Sequence, residues 1–203
     1  MQKITVVIPY NEDRGWLQQA IGSVPEDVEV ILSKSDKSRS YNINQGLKKV
    51  KTEFVKFLDE DDMLTGNCIK DSLEAIKGYD FIHGNAYQYY QPSSSNQHGR
   101  IVPYIPRIKY PTMEELLAPG SSFIHNPTQM YRMDIFDKVG YFDETLLTAQ
   151  DWEFNLRCLS KGLKIGYCDS FLIMYRIHDR QITKTAIEQK KIDKQRVIDR
   201  YAG

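Results

Sequence analysis

The chain has 203 residues and carries 27 Lys and Arg against 27 Asp and Glu, a formal net charge of zero at pH 7. That length supports one domain with a substantial core, and with no net basic field nothing points to nucleic acid as a partner. No apolar run approaches the roughly 20 residues of a membrane span and the N-terminus lacks a charged-then-apolar leader, which predicts a soluble chain made in the cytosol.

Residues 4–8 (ITVVI) are a β-branched run closed by Pro9, the pattern of a strand buried on both faces. Leu17, Ile21 and Val24 recur at helical spacing until Pro25. A second strand follows at 28–32, a helix marked by Ile43, Leu47 and Val50, and a third strand at 54–58. Ile69, Leu73 and Ile76 mark a third helix, and Phe81 and Ile82 begin a fourth strand. Three strand–helix pairs in succession predict an α/β fold whose sheet is mainly parallel and flanked by helices.

The pattern then loosens. Residues 91–100 are polar and read as a loop, and five prolines fall between 101 and 127. Regular structure resumes at 128–139, and 148–161 reads as a helix with Trp152, Leu156 and Leu159 on one face and Gly162 at its end. Two short strands are expected at 165–168 and 171–175. Residues 184–201 read as a helix with six Lys and Arg against three Asp and Glu. A helix docked on the domain accounts for it better than a peripheral anchor at the inner face of the membrane. Cys68, Cys158 and Cys168 are odd in number and far apart, so reduced, buried thiols fit better than a disulfide framework or zinc site.

The most informative feature is Asp59, Glu60, Asp61 and Asp62, directly after the third strand. Open α/β folds bind ligands at the carboxyl ends of their strands. Carboxylates two apart can share one divalent cation, and magnesium or manganese so held usually also holds a phosphate oxygen. One or two such acids would serve a helix N-terminus, but four in a row repel one another and call for a counter-ion.

Several segments together resemble family 2 glycosyltransferases. Residues 4–11 (ITVVIPYN) look like that family's opening strand, 43–47 (INQGL) its helix before the third strand, and 57–62 (FLDEDD) its DxD motif. Residues 139–144 (VGYFDE), the Asp151-Trp152 pair after Gln150, and 175–178 (YRIH) follow in the family's order. The resemblance runs from about Lys3 to Thr183. It implies a GT-A-like (Rossmann-like), mainly parallel sheet with a C-terminal acceptor-side half: one domain over 1–203, with a nucleotide-sugar half at 1–90, an acceptor and catalytic half at 101–183, and a basic helix at 184–203.

The resemblance also implies roles. Asp61, with Asp59 and His178, would hold manganese or magnesium. Pro9, Tyr10, Glu12, Ser33, Asp59, Glu60 and Arg176 would contact the nucleotide-sugar, and Asp151 would be the catalytic base. A carboxylate, ionised at neutral pH, can take the proton of an acceptor hydroxyl, and a single base with no second nucleophile implies one displacement with inversion. The alternative for Asp151 is an acid favoured by the helix dipole. The implied partners are a nucleotide-sugar donor, a UDP-sugar by default, and a saccharide or lipid-linked glycan acceptor.

Three positions depart from the family pattern. Ser33 stands where an acid reads the base, Gln150 where a Glu precedes the catalytic Asp, and Ile43 where an Arg precedes the Asn, with Arg39 one turn earlier able to replace its charge. Ser33 and Gln150 motivate the alternative of a non-catalytic nucleotide-sugar-binding partner of an active transferase. His83, His125, Asn126, Tyr87, Tyr89, Tyr90 and Trp152 are candidates for sugar contacts, each with an ordinary structural explanation, and His98 is expected in solvent.

Overall fold

The computed structural model describes residues 3–92, 99–118 and 124–201. The expected polar loop around Ser93–Asn96, His98, and the segment at Gly120, Ser121 and Ser122 lie outside the described residues.

In chain order the elements are β1 (Ile4–Tyr10), α1 (Leu17–Gly22), β2 (Glu29–Lys34), α2 (Arg39–Leu47), β3 (Phe54–Phe57), β4 (Met63–Leu64), α3 (Cys68–Ala75) and β5 (Phe81–Tyr90). There follow β6 (Arg100–Tyr104), α4 (Met113–Leu117), a 3₁₀ turn at Asn126–Thr128, β7 (Met130–Arg132), α5 (Ile135–Val139), α6 (Gln150–Ser160), β8 (Ile165–Ile177), α7 (Ile182–Thr185) and α8 (Ile187–Tyr201).

The strands form a single sheet in the order β2-β1-β3-β7-β5-β8-β4, with β6 on β5. This corrects the expectation of a mainly parallel, Rossmann-like sheet. Among the described residues only β1–β2, β1–β3 and β5–β8 are parallel. The β3–β7, β5–β7, β5–β6 and β4–β8 pairs are antiparallel, so the sheet is mixed. The cause lies in β7, which enters from late in the chain between β3 and β5 and runs against both. Its Met130 and Tyr131 are wholly buried, filling opposite faces of the sheet. The two strands expected at 165–168 and 171–175 are one strand, β8, whose pairing with β5 slips around Asn85, an irregularity of the β-bulge kind.

Apolar residues fill both faces. Val6, Ile8, Leu58, Ile82 and Leu172 pack with α1 and α3 on one side, while Val7, Phe57, Phe81, Tyr131 and Phe154 pack with α2, α5 and α6 on the other. Helix α2 comes so close to β1 that a side chain at Gly46 would run into Val7. Cys68, Cys158 and Cys168 are free and buried.

The C-terminal helix is docked. Val197 packs with Leu116, Leu146 and Leu156. The wholly buried Asp193 accepts from the backbone N–H of Leu147 (3.0 Å) and Thr148 (2.8 Å). Arg196 donates to the Thr145 carbonyl, while Arg200 donates to Asp143 and Glu153. No helix among the described residues is long and apolar enough to cross a membrane.

Candidate functional site

The ends of β1 and β2 lie side by side, with Pro9 opposite Ser33 and Tyr10 opposite Lys34. Asn42 of α2 fastens this edge: its Nδ2 donates to the Tyr10 carbonyl and Asn11 Oδ1, both at 3.1 Å, and its Oδ1 accepts from Ser35. Pro9, Tyr10 and Ser33 are thus brought together, whereas Glu12 stands exposed on the following loop. Asn44, in the helix segment picked out by resemblance, holds the segment at 142–144 through Phe142 and Glu144.

The four carboxylates beyond β3 take four different surroundings. Asp59 receives two hydrogen bonds from Arg39, Nε to Oδ1 at 2.6 Å and Nη2 to Oδ2 at 3.0 Å. Glu60 lies 3.1 Å from Arg14 Nη1, and Asp61 Oδ2 lies 3.6 Å from the same nitrogen. Asp61 Oδ2 is also 2.8 Å from His178 Nε2. Asp62 is buried; its Oδ1 accepts from the Arg176 backbone N–H at 2.8 Å while its Oδ2 has no partner. Burial and the neighbouring Asp61 push Glu60 up to about 8, with Arg14 opposing. Burial, Asp61 and Asp59 hold Asp62 well above the carboxylate range. Burial also raises Asp59, against the pull of Arg39.

His178 Nδ1 accepts from the Arg180 backbone N–H at 3.2 Å. A neutral ring therefore carries its hydrogen on Nε2 and donates it to Asp61. Arg176 donates from Nε to the Asp61 carbonyl and from Nη2 to Gln19, and lies over the Trp16 ring, as does Arg180. No group of three or more His, Cys, Asp or Glu side chains converges among the described residues. The convergent pair is Asp61 Oδ2 with His178 Nε2. The two are spent on each other, so a magnesium or manganese ion would be held by Asp61 and phosphate oxygens, and His178 would join it through Nε2 only with its hydrogen moved to Nδ1, giving up the Arg180 contact. Both oxygens of Asp59 are engaged by Arg39.

Asp151 lies in the first turn of α6. The helix is entered through Ala149 at φ 60°, the one non-glycine residue at positive φ among those described, a conformation that costs on the order of 1 kcal/mol for alanine. Asp151 Oδ1 accepts from the Trp152 backbone N–H at 2.9 Å. Its charge acts on Asp59, Arg39, Tyr131 and Tyr175, so it shares the field of the acid cluster. A polar relay joins the two. Arg39 Nη2 donates to Asn126 Oδ1 (2.8 Å), Asn126 Nδ2 to Gln129 Oε1 (3.0 Å), and Gln129 Nε2 to Asn155 Oδ1 (2.7 Å), one turn beyond Asp151. Gln150 is buried with Oε1 unpartnered.

The remaining candidates divide. His83 is away from this group, on the Lys109 carbonyl (2.7 Å) and the Tyr167 ring. His125 sits edge-on between Tyr104 and Tyr175. Tyr89 lies under Arg176, Tyr90 under Arg100, and Tyr87 stacks on Phe171. Trp152 donates to the Leu116 carbonyl and packs beside that residue's cluster. Arg14, Trp16, Gln19, Gln129 and Asn155 were not singled out by sequence reasoning, and none sits in a segment whose residue types announce chemistry.

Residues 10–140 match the model of a family described as "Glycosyl transferase family 2". An uncharacterized glycosyltransferase of Rickettsia typhi is 24% identical over 236 residues, covering 96% of this chain and 74% of the relative. The succinoglycan biosynthesis protein ExoW of Rhizobium meliloti is 23% identical over 215 residues, covering 84% of this chain and 67% of its own. Among solved structures, S. aureus TarS 1–349 in complex with UDP-GlcNAc is similar with a TM-score of 0.65 at 15% identity, over 89% of this chain. The chain spans 60% of that structure's length.

Proposed function

Because this chain belongs to glycosyl transferase family 2, we propose that it transfers a sugar from a nucleoside-diphosphate sugar to a hydroxyl of a saccharide or lipid-linked glycan, with a divalent cation and inversion at the anomeric carbon. The observation that carries this reading is the acid cluster beyond β3, where Asp61 pairs with His178 at 2.8 Å and whose field includes Asp151. Pro9, Tyr10 and Ser33 would shape the base and ribose pocket, and Arg176 and Trp16 would close the side next to the phosphates.

In this reading Asp61 would hold manganese or magnesium, with His178 joining through Nε2 once its hydrogen has left that nitrogen, and the ion would neutralise charge developing on the leaving diphosphate. The acceptor oxygen forms a bond to the anomeric carbon as Asp151 takes its proton. The bond from that carbon to the phosphate oxygen breaks, and its electron pair leaves with the diphosphate. Arg39 keeps Asp59 in place, and the relay through Asn126, Gln129 and Asn155 sets α6 against it.

Calorimetric titration of UDP, GDP and CMP, each with and without manganese, tests the reading. The expected result is manganese-dependent binding of one nucleotide, UDP first, lost in Asp61→Ala. No binding of any nucleotide by the wild-type protein would overturn it. Tight binding without transfer across a donor and acceptor screen would instead favour a non-catalytic binding partner.

A further inference from the structure

Of the partners that neutralise the acid cluster, Arg14 is set apart. Arg39 reaches Asp59 from inside a relay of buried amides, and Asp62 is held by a backbone N–H of β8. Arg14 comes from the loop between β1 and α1, where residues 11–13 and 15 are exposed. Gly15 turns this loop at φ +93° with open space around it. The described partners of the Arg14 guanidinium are the two carboxylates it spans, Glu60 and Asp61. Its side chain is 27% exposed, against 8% and 13% for theirs.

We propose that Arg14 is an exchangeable counter-ion: it occupies the Glu60–Asp61 carboxylates until a divalent cation takes Asp61, and the displaced guanidinium then binds the diphosphate of the donor. This deepens the nucleotide-sugar reading and rests on it. Arg14 Nη1 and His178 Nε2 approach the same oxygen, Asp61 Oδ2. A cation on that oxygen would face the guanidinium at a few ångströms, and like charges that close repel. The exposed loop gives Arg14 room to move aside. A guanidinium matches phosphate oxygens with two parallel N–H donors, so the freed side chain meets a better partner once the diphosphate arrives.

Exchange makes two affinities move in opposite directions. Cation binding must displace Arg14, so the guanidinium weakens the cation site in the absence of nucleotide. Nucleotide binding gains it, so the guanidinium strengthens UDP binding once the cation is present. Metal and nucleotide then promote one another, and by reciprocity the coupling is the same measured from either side.

The test is calorimetric titration of manganese alone, and of UDP at saturating manganese, into wild-type, Arg14→Ala and Arg14→Lys proteins with matched melting temperatures. Arg14→Ala is expected to bind manganese alone roughly three- to tenfold more tightly and UDP with manganese about tenfold more weakly. Arg14→Lys, which keeps the charge without the fork, should retain the wild-type manganese affinity and recover only part of the UDP affinity. Unchanged or weaker manganese binding by Arg14→Ala, or unchanged UDP binding, would overturn the exchange while leaving the nucleotide-sugar reading intact. So would UDP binding that needs Arg14 and no metal, which would make Arg14 a permanent cation of the site. If the wild-type protein bound neither manganese nor any nucleotide, both would fall together.

Discussion

Two groups of buried acids in this molecule are built on opposite principles. Asp193 and Glu153, where α8 docks, are saturated. Asp193 collects the N–H groups of Leu147 and Thr148, the Thr148 hydroxyl, Gln189 and Arg196. Glu153 takes Arg157, Arg200 and Tyr201. Burial works against the charge of Asp193, but the donors from Thr148 and Gln189 outweigh it and hold its pKa below the usual value. At 59–62 the balance is reversed: Glu60 and Asp62 are raised, and Asp62 Oδ2 has no partner. A saturated group holds a helix in place. An under-compensated one retains an appetite for positive charge, the condition of a binding site.

The largest effect expected from breaking this comparison is catalytic. Asp151→Asn should lower transfer by roughly 100-fold or more while leaving UDP affinity in manganese unchanged; equal turnover would remove Asp151 from the role of base. Next come paired stability measurements on the two acid groups. Asp193→Ala should cost about 2–5 kcal/mol in denaturant unfolding, because it strands buried donors. Asp62→Asn should stay within about 1 kcal/mol, since it keeps an acceptor for the Arg176 N–H and removes a carboxylate from a crowded cluster. Equal losses at the two positions would erase the distinction drawn above.

The smallest effect concerns His83, which is bonded at Nε2 and unpartnered at Nδ1. Burial holds its pKa down at about 4, against an ordinary 6.5, with the Lys109 carbonyl opposing. As pH falls the unfolded chain takes up the proton first, so the stability this ring contributes above pH 6.5 is lost on the way down through pH 4. Melting temperatures across that range should fall less steeply for His83→Gln. Part of the slope should remain, because burial also lowers His125 to about 4. Parallel profiles would show that His83 carries none of it.

The sequence makes the first part of the fold legible because there neighbours in sequence are neighbours in space. The runs at 4–8, 28–32 and 54–58 correspond to β1, β2 and β3, and the two parallel pairings among them follow from strand–helix alternation. What periodicity could not carry is β7: three residues have no measurable alternation, and nothing local says that Met130 will pair with both Lys56 and Ile82. The mixed sheet follows from that one insertion together with the β5–β6 and β4–β8 pairings. At the site, the acids at 59–62 announce themselves by density of charge. Arg14 and the amides Gln129 and Asn155 do not, since their importance comes from partners 46, 47 and 26 residues away for Arg14, Arg14 and Gln129 respectively. Arg39 was visible only as a charge displaced by one helical turn from its expected place.

The docking of α8 also imposes an order on synthesis. Asp193 grips the backbone just ahead of Asp151, yet it leaves the ribosome after every other residue of the site, His178 included. A nascent chain therefore exposes its acid cluster before the segment bearing the proposed base has been clamped. Without α8 the cluster would stand with no fixed partner segment at 147–151.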